Sequence, residues 1–304
     1  MAQKVLITGA SGLVGKALLP VLLNKGYEIV SLSRIKKSPC HGVETFLWDI
    51  KSDYIDKQAL VGIDYIIHLA GAGIADEKWT EQRKKELYNS RIKGTKLLFK
   101  YVSELTYKPK AIIAASGIAI YGIDSREILM TEKDDHAQDF LANLTRDWEK
   151  EINKFKSIDI RTVVLRTGIV LSNNGGAFPK LLQPIQYHLG AALGTGKQYM
   201  SWIHIKDLVK LYIFALEEND LEGKFNAVSS NPVTNEDFTA KTAHVYGKKL
   251  FLPNVPAFAM KLMLGEMSTL VLGGNNVSNE KILEKGFDFK FTDLDHALLD
   301  LKNA

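Results

Sequence analysis

The residues whose types and spacing most clearly permit chemistry stand near the start of the chain: Thr8-Gly9-Ala10-Ser11-Gly12-Leu13-Val14-Gly15. An apolar run precedes them and a helix-patterned segment follows. Glycines at this spacing suit a diphosphate held by main-chain groups. Gly9 permits a tight turn, Gly12 keeps a Cβ out of the anion's way, and Gly15 allows the helix to pack closely on the sheet. The start of the helix adds free N–H groups and a partial positive charge. Thr8 through Gly15, with Ser11, Leu13 and Val14 among them, is therefore read as the place for a dinucleotide's pyrophosphate.

A second position says which dinucleotide. Where a ribose 2′-hydroxyl is held, an Asp or Glu stands about 20 residues further on, at the end of the second strand. Here that strand ends Ser31-Leu32-Ser33-Arg34, with a hydroxyl and a guanidinium in place of the acid. Arginine binds phosphate through two parallel hydrogen bonds and stacks on adenine. Ser33 and Arg34 thus point to the 2′-phosphate of NADP(H). Asp49, after the third strand, has two readings: an acceptor for the adenine amino group, or a turn aspartate.

The elements that must position these residues follow from hydrophobic spacing. Strands are expected at Val5–Thr8, Glu28–Ser33, Thr45–Trp48, Asp64–Leu69, Lys110–Ser116 and Ile160–Arg166. Helices are expected at Leu13–Leu23, from Thr80 as cap to about Glu104, and over Asp139–Phe155. Gly26 suits the stop of the first helix. Strands separated by helix-length segments imply βαβ units, hence an α/β fold with a Rossmann-type, doubly wound parallel sheet. Beyond residue 166 the pattern loosens into a smaller mixed C-terminal lobe. It predicts a helix near Phe178–Leu189, a helix at Lys206–Glu217, a strand at Lys224–Val228, a helix capped by Asn235, and short helices over the last fifty residues. The division expected is a nucleotide-binding domain over 1–166, with about 200–230 returning to it, and a substrate lobe over 167–304.

Composition narrows the function classes. The 304 residues carry 39 Lys+Arg and 35 Asp+Glu, a formal charge of +4. The short basic runs lie beside acids, so no nucleic-acid partner is expected. No stretch of about 18 apolar residues offers a membrane span, and the N-terminus lacks a signal-peptide pattern. Cys40 is the only cysteine, which excludes an internal disulfide and, with no Cys/His cluster, a structural zinc site. One free thiol fits a reducing compartment, and a cytoplasmic location is expected.

Further motifs extend the picture: His68-Leu69-Ala70-Gly71, Ser116-Gly117-Ile118-Ala119-Ile120-Tyr121-Gly122, Trp148-Glu149, Leu165-Arg166-Thr167-Gly168-Ile169-Val170-Leu171, Ser201 to Leu208, and the tail with Gly265-Glu266-Met267 and Gly286-Phe287. Together with the glycine turn they resemble the short-chain dehydrogenase/reductase superfamily, extended type, and its atypical epimerase-like branch with a small C-terminal module. The resemblance covers nearly the whole chain. It implies that Leu69, Ala70 and Gly71 flank the adenosine side of the cofactor. It places Glu86 and Arg91 where branch members reach that cofactor, and Val170 near its nicotinamide end.

The resemblance also implies a Tyr-x-x-x-Lys pair for active members. A tyrosine near pKa 10 must be brought down to serve near neutrality, and a lysine one helical turn on supplies the charge. None of the 11 tyrosines here has lysine four positions later. At the corresponding helix the chain reads Phe140-Leu141-Ala142-Asn143-Leu144-Thr145. Ser116 and Tyr121 are the candidates for catalysis: a hydroxyl at the sheet's ligand-binding edge, and a tyrosine readable as acid/base or as core. His204 reads as a structural histidine or a proton shuttle, and Lys197 and Arg166 as partners of an anionic substrate or as surface charges. The expected function is an NADP(H)-dependent oxidoreductase or epimerase-like enzyme on an unknown small carbonyl or sugar-like substrate. The alternative is an NADPH-binding sensor or interaction protein without turnover.

Overall fold

A sheet of eight strands carries the nucleotide-binding half of the computed structural model, which describes residues 2–304. In chain order the strands are β1 Lys4–Thr8, β2 Glu28–Ser33, β3 Val43–Asp49, β4 Tyr54–Ile55, β5 Tyr65–His68, β6 Ala111–Gly117, β7 Asp124–Met130, β8 Arg161–Thr167, β9 Ile169–Leu171, β10 Tyr199–Met200, β11 Trp202–His204, β12 Gly223–Ala227, β13 Val233–Thr234 and β14 Gly274–Val277. The α-helices are α1 Leu13–Asn24, α2 Glu81–Ser103, α3 Phe140–Asn153, α4 Phe178–Gln186, α5 Ile205–Glu217, α6 Asn235–Val245, α7 Ala257–Leu264, α8 Thr269–Leu272, α9 Glu280–Leu283 and α10 Leu294–Asn303.

The large sheet runs β12-β8-β6-β5-β1-β2-β3-β4. Every pairing in it is parallel except β3 with β4. Strand order therefore reverses between β1 and β5, and such a reversal opens a crevice at the strands' carboxyl ends. The uninterrupted apolar run in β1 is explained by burial on both faces. Val5 and Ile7 point into one layer with α1 and α5, and Leu6 points into the other with α2 and α3.

Helix ends follow local chemistry. Thr80 accepts a hydrogen bond from the Arg83 amide, and Asp139 from those of Leu141 and Ala142. Lys25 closes α1, and Gly26 follows at φ +83°. The expected Asn235 cap is corrected: Thr234 caps α6 by accepting from the Asp237 amide. Asn235 is instead buried, and its Oδ1 accepts from the Leu193 amide at 2.8 Å.

The smaller lobe gathers α4, α6 and α10 around Phe178, Trp202, Phe238 and Phe291. Several short strands escaped the sequence reading, β7 and β14 among them. β7 and β14 pair in parallel, so the last fifty residues contain a strand as well as helices. Polar side chains hold them: Asn275 donates to the Gly122 carbonyl at 2.8 Å, and Ser201 donates to the Asn275 carbonyl at 2.7 Å. The approach is close enough that a Cβ on Gly274 would lie 1.9 Å from the Tyr199 oxygen.

Candidate functional site

At the reversal point the glycine turn faces the loop after β5. Gly9 has φ +74°, and a Cβ there would sit 2.9 Å from the Leu69 carbonyl carbon. A Cβ on Gly15 would lie 2.6 Å from the carbonyl oxygens of both Gly9 and Ala10. Gly15 is therefore required by the turn itself rather than by packing on the sheet. Gly12 is exposed and caps α1 without any side-chain bond, so no side chain competes for the helix's first amides. Ser11 is exposed beside it, and Leu13 and Val14 are half-buried. The Gly175-Gly176 segment of the second lobe crosses this helix start, with Gly176 against Leu13.

Thr8 is wholly buried and acts on the turn from beneath. Its Oγ1 lies 2.7 Å from His68 Nδ1, and the amides of Leu69 and Ala70 donate to the same oxygen at 3.2 Å each. His68 Nε2 lies 2.9 Å from Thr95 Oγ1. Thr95 donates its own proton to the Arg91 carbonyl and also accepts from Trp148 Nε1. One hydroxyl has one proton to give, so His68 Nε2 must be the donor to Thr95, and Nδ1 accepts from Thr8. Burial pushes the imidazole down to about 4, which keeps this neutral tautomer in place.

Above this chain lies Arg91. It is buried, donates to the Leu87 carbonyl at 3.2 Å, and stacks 5.2 Å from the Trp148 ring centre. Its guanidinium presses on Gly71, where a Cβ would come within 3.0 Å of Cζ. Among the described residues it has no carboxylate partner. Burial, then the neighbouring Arg83, brings it down to about 10. Glu86 is exposed and engaged by Arg83 at 2.7 Å, while Arg83 also donates to the Gly73 carbonyl. Glu86 thereby steadies the loop after Gly71 through Arg83.

At the adenosine end, Ser33 is half-buried and accepts from the Ile35 amide, and Arg34 is exposed with no ion pair among the described residues. Asp49 takes its turn role: it accepts from Ser52 Oγ at 2.7 Å and from the Lys51 amide at 2.9 Å. Those bonds hold its carboxyl below the usual range. Val170 is half-buried on β9, opposite Ile203 of β11.

Ser116 and Tyr121, the two candidates for catalysis, are engaged by buried partners. Ser116 donates to Glu149 at 2.7 Å, and Tyr121 donates to Asn226 at 2.7 Å. Arg166 joins the two, contacting both Glu149 oxygens at 2.9 and 3.0 Å and donating to the Tyr121 hydroxyl at 2.9 Å. All five residues are buried. Burial raises Tyr121 to about 12 and outweighs the opposing Arg166 charge, which is the wrong direction for a neutral-pH acid/base. Burial alone would raise the Glu149 carboxyl, yet Arg166 holds it below the usual range. Arg166 is thus a core ion-pair partner, neither a surface charge nor a substrate ligand. His204 is the structural histidine: buried, with Nδ1 accepting from the Lys206 amide at the start of α5. Lys197 is exposed.

Sequence reasoning missed Thr95, and it named Glu149 only as part of a motif, without its ion-pair role. Glu149 shares the inward face of α3 with Leu141, Thr145, Trp148 and Ile152. An acid on such a face is itself a signal, because it requires a buried cation.

A parallel sheet with this order, reversing beside a glycine turn and a helix start, defines a Rossmann-type protein of the short-chain dehydrogenase/reductase kind. The chain belongs to the NAD dependent epimerase/dehydratase family, whose model matches residues 5–228. A domain of unknown function, DUF1731, matches residues 255–301. The epimerase family protein YfhF of Bacillus subtilis is 33% identical over 98% of both chains. Among solved structures, human epimerase family protein SDR39U1 (isoform 2) with NADPH superimposes with a TM-score of 0.87 at 29% identity, covering 99% of this chain and 100% of that one. The nucleoside-diphosphate sugar epimerase of Corynebacterium glutamicum gives 0.80 at 30% identity over 99% of this chain and 58% of its own.

Proposed function

We propose that the chain binds NADP(H) across the β1–β5 crevice and works as an oxidoreductase or epimerase-like enzyme on a small carbonyl or sugar-like substrate. Arg91 is the observation that carries this reading. An arginine buried without a carboxylate is costly unless an anion meets it, and this one lies against Gly71, in the loop that faces the glycine turn. The NADPH of the human relative supports the choice of cofactor. Thr8 and the Leu69-Ala70-Gly71 loop shape the crevice from below, Gly9, Ser11, Gly12, Leu13, Val14 and Gly15 carry the diphosphate, and Ser33 with Arg34 meets the 2′-phosphate. Val170 marks the far end. Bound there, the cofactor supplies or accepts a hydride. Cytoplasmic residence belongs to the same reading, in keeping with the exposed free Cys40.

Calorimetry with NADPH and NADH tests the proposal. Arg34→Ala should weaken NADPH by about 1.5–3 kcal/mol and leave NADH nearly unchanged. Equal losses for both would remove the 2′-phosphate assignment, and no binding of either at millimolar concentration would end the whole reading. A second reading, an NADPH-dependent sensor without turnover, is favoured by one observation: Ser116 and Tyr121 are both engaged in the core. A partner or oligomer that tracks NADPH against NADP⁺, with no turnover on a carbonyl and nucleotide-sugar panel, would decide for it.

A further inference from the structure

The residues from Gly71 to Thr80, which lead from β5 to α2, form neither helix nor strand, so other groups must fix their course. Side chains do so at consecutive positions. The Ala72 amide donates to Ser90 Oγ at 3.0 Å. The Gly73 carbonyl accepts from Arg83 Nη2 at 2.7 Å, the Ile74 carbonyl from Trp79 Nε1 at 2.9 Å, and the Ala75 carbonyl from Lys180 Nζ at 2.9 Å. Ser90 and Arg83 belong to α2, and Trp79 to the loop itself. Lys180 belongs to α4, so its bond crosses from the second lobe to the nucleotide half.

The C-terminal module reaches the same loop through an arm, a 3₁₀ turn at Gly265–Ser268 that continues into α8. Glu266 pairs with Lys84 at 2.5 Å, near the start of α2 and next in sequence to Arg83. Lys84 also pairs with Glu81 and lies over the Phe140 ring. Leu270 packs against Leu87, Leu141 and Leu144 in a cluster that takes in Ala72, Ile74 and Trp79 of the loop. Trp79 meets Phe140 edge to face, with ring centres 5.5 Å apart. The rest of the module is anchored elsewhere. β14 pairs with β7, Lys281 donates to the Lys224 carbonyl at 2.7 Å, and α10 packs in the core of the smaller lobe. The module therefore has attachments enough without the arm, and the arm touches the loop and the helix that carries the loop's anchors.

We infer that Lys180, Glu266 with its partner Lys84, and Leu270 are positioning residues of the nucleotide site, holding the loop from Gly71 to Thr80 in the shape that retains NADP(H). This inference rests on the NADP(H) reading above and gives the C-terminal module a part in it. The loop begins at Gly71, on which the buried Arg91 rests. One of its anchors, Arg83, lies on the same helix as Arg91 and engages both Gly73 and Glu86. A loop without regular structure opens locally at the cost of the few bonds that close it. Each lost anchor should raise the open population, and with it the rate at which the cofactor leaves.

The test has two readouts on the full chain. The first is NADPH release, followed by nucleotide fluorescence in stopped flow. Lys180→Met should speed release about fivefold, and Lys180→Arg, which keeps a donor, should stay within about twofold of the parent. Lys84→Met and Glu266→Gln should each speed release about threefold, and the double variant no more than either, because one tie is lost in all three. The second readout is hydrogen–deuterium exchange of the nucleotide-free protein. Exchange should rise over 71–80 in Lys180→Met, Glu266→Gln and Leu270→Ser, and stay at the parent level in β1 and β14. Release at the parent rate in Lys180→Met and Glu266→Gln overturns the inference. So does exchange that rises throughout the module, since the arm would then support the fold rather than the loop. NADPH that fails to bind the parent ends the cofactor reading and this inference with it, whereas binding with unaltered release in the variants ends this inference alone.

Discussion

The glycine turn and the Ser116–Tyr121 segment both end strands of the same sheet edge, yet they treat polar groups in opposite ways. At the turn, the side-chain bonds lie underneath, in Thr8, His68 and Thr95, and no side chain caps the start of α1 above them. At Ser116 and Tyr121, every hydroxyl already has a partner in Glu149, Arg166 or Asn226. The first arrangement is fixed from below and leaves the start of α1 without a side-chain cap. The second is a closed ion-pair network, which stabilises a core and leaves little to react. The difference teaches that the glycine turn and the Ser116–Tyr121 segment can be specified independently in this fold, one by main-chain geometry and the other by a buried side-chain network.

That contrast can be broken at the network first. Glu149→Ala strands Arg166 without its acid and should cost about 3–5 kcal/mol in urea unfolding, whereas Glu149→Met with Arg166→Met should recover most of the loss. Recovery of nothing would mean that the pair does more than neutralise itself.

Next comes the chain of hydrogen bonds beneath the turn. His68 titrates near 6.5 when unfolded and about 4 when folded. The unfolded chain therefore binds the proton first, and stability is lost as pH falls from about 6.5 toward 4, then levels off. The full loss is about 3 kcal/mol for this group. Between pH 7 and 4.5 the parent should lose most of that amount of unfolding free energy more than His68→Gln does, as denaturation curves at the two pH values would show; equal losses would refute the neutral, buried assignment. Gly15→Ala drives a Cβ into two carbonyl oxygens and should cost about 1–3 kcal/mol of stability, with NADPH affinity falling at the same time. The smallest effect sharpens the comparison most. Tyr121→Phe should cost about 1–2 kcal/mol in stability and leave NADPH affinity unchanged, as calorimetry would show; an abolished turnover with intact stability would return Tyr121 to the chemistry.

Local signals made the nucleotide half legible. β1, the turn, α1 and β2 are contiguous, and each residue's demand is met by neighbours a few positions away. The long α2 announced itself through Thr80 and its spacing. What stayed hidden depends on distant partners. β7 carries Asp124, Arg126 and Glu127 without apolar alternation, and β14 reads Gly-Asn-Asn-Val. Their pairing is recorded in the side chains of Ser201 and Asn275, which nothing local predicts. Asn235 and Thr234 are both good caps, and only the bond to Leu193 decides between them. At the site, glycine spacing and the missing acid at Arg34 were readable, while the fate of Tyr121 was not, because Arg166 and Asn226 reach it from β8 and β12.

The β7–β14 pairing has a consequence for how the molecule is made. Asp124 must wait for Gly274 to emerge before its strand has a neighbour, so the middle of the polypeptide stays unfinished through the translation of about another 150 residues. A ribosome stalled between Ala227, where the large sheet receives its last strand, and Gly274 would hold a nascent chain whose nucleotide half is nearly complete and whose β7 edge is still open, the state in which a chaperone would find most to grip.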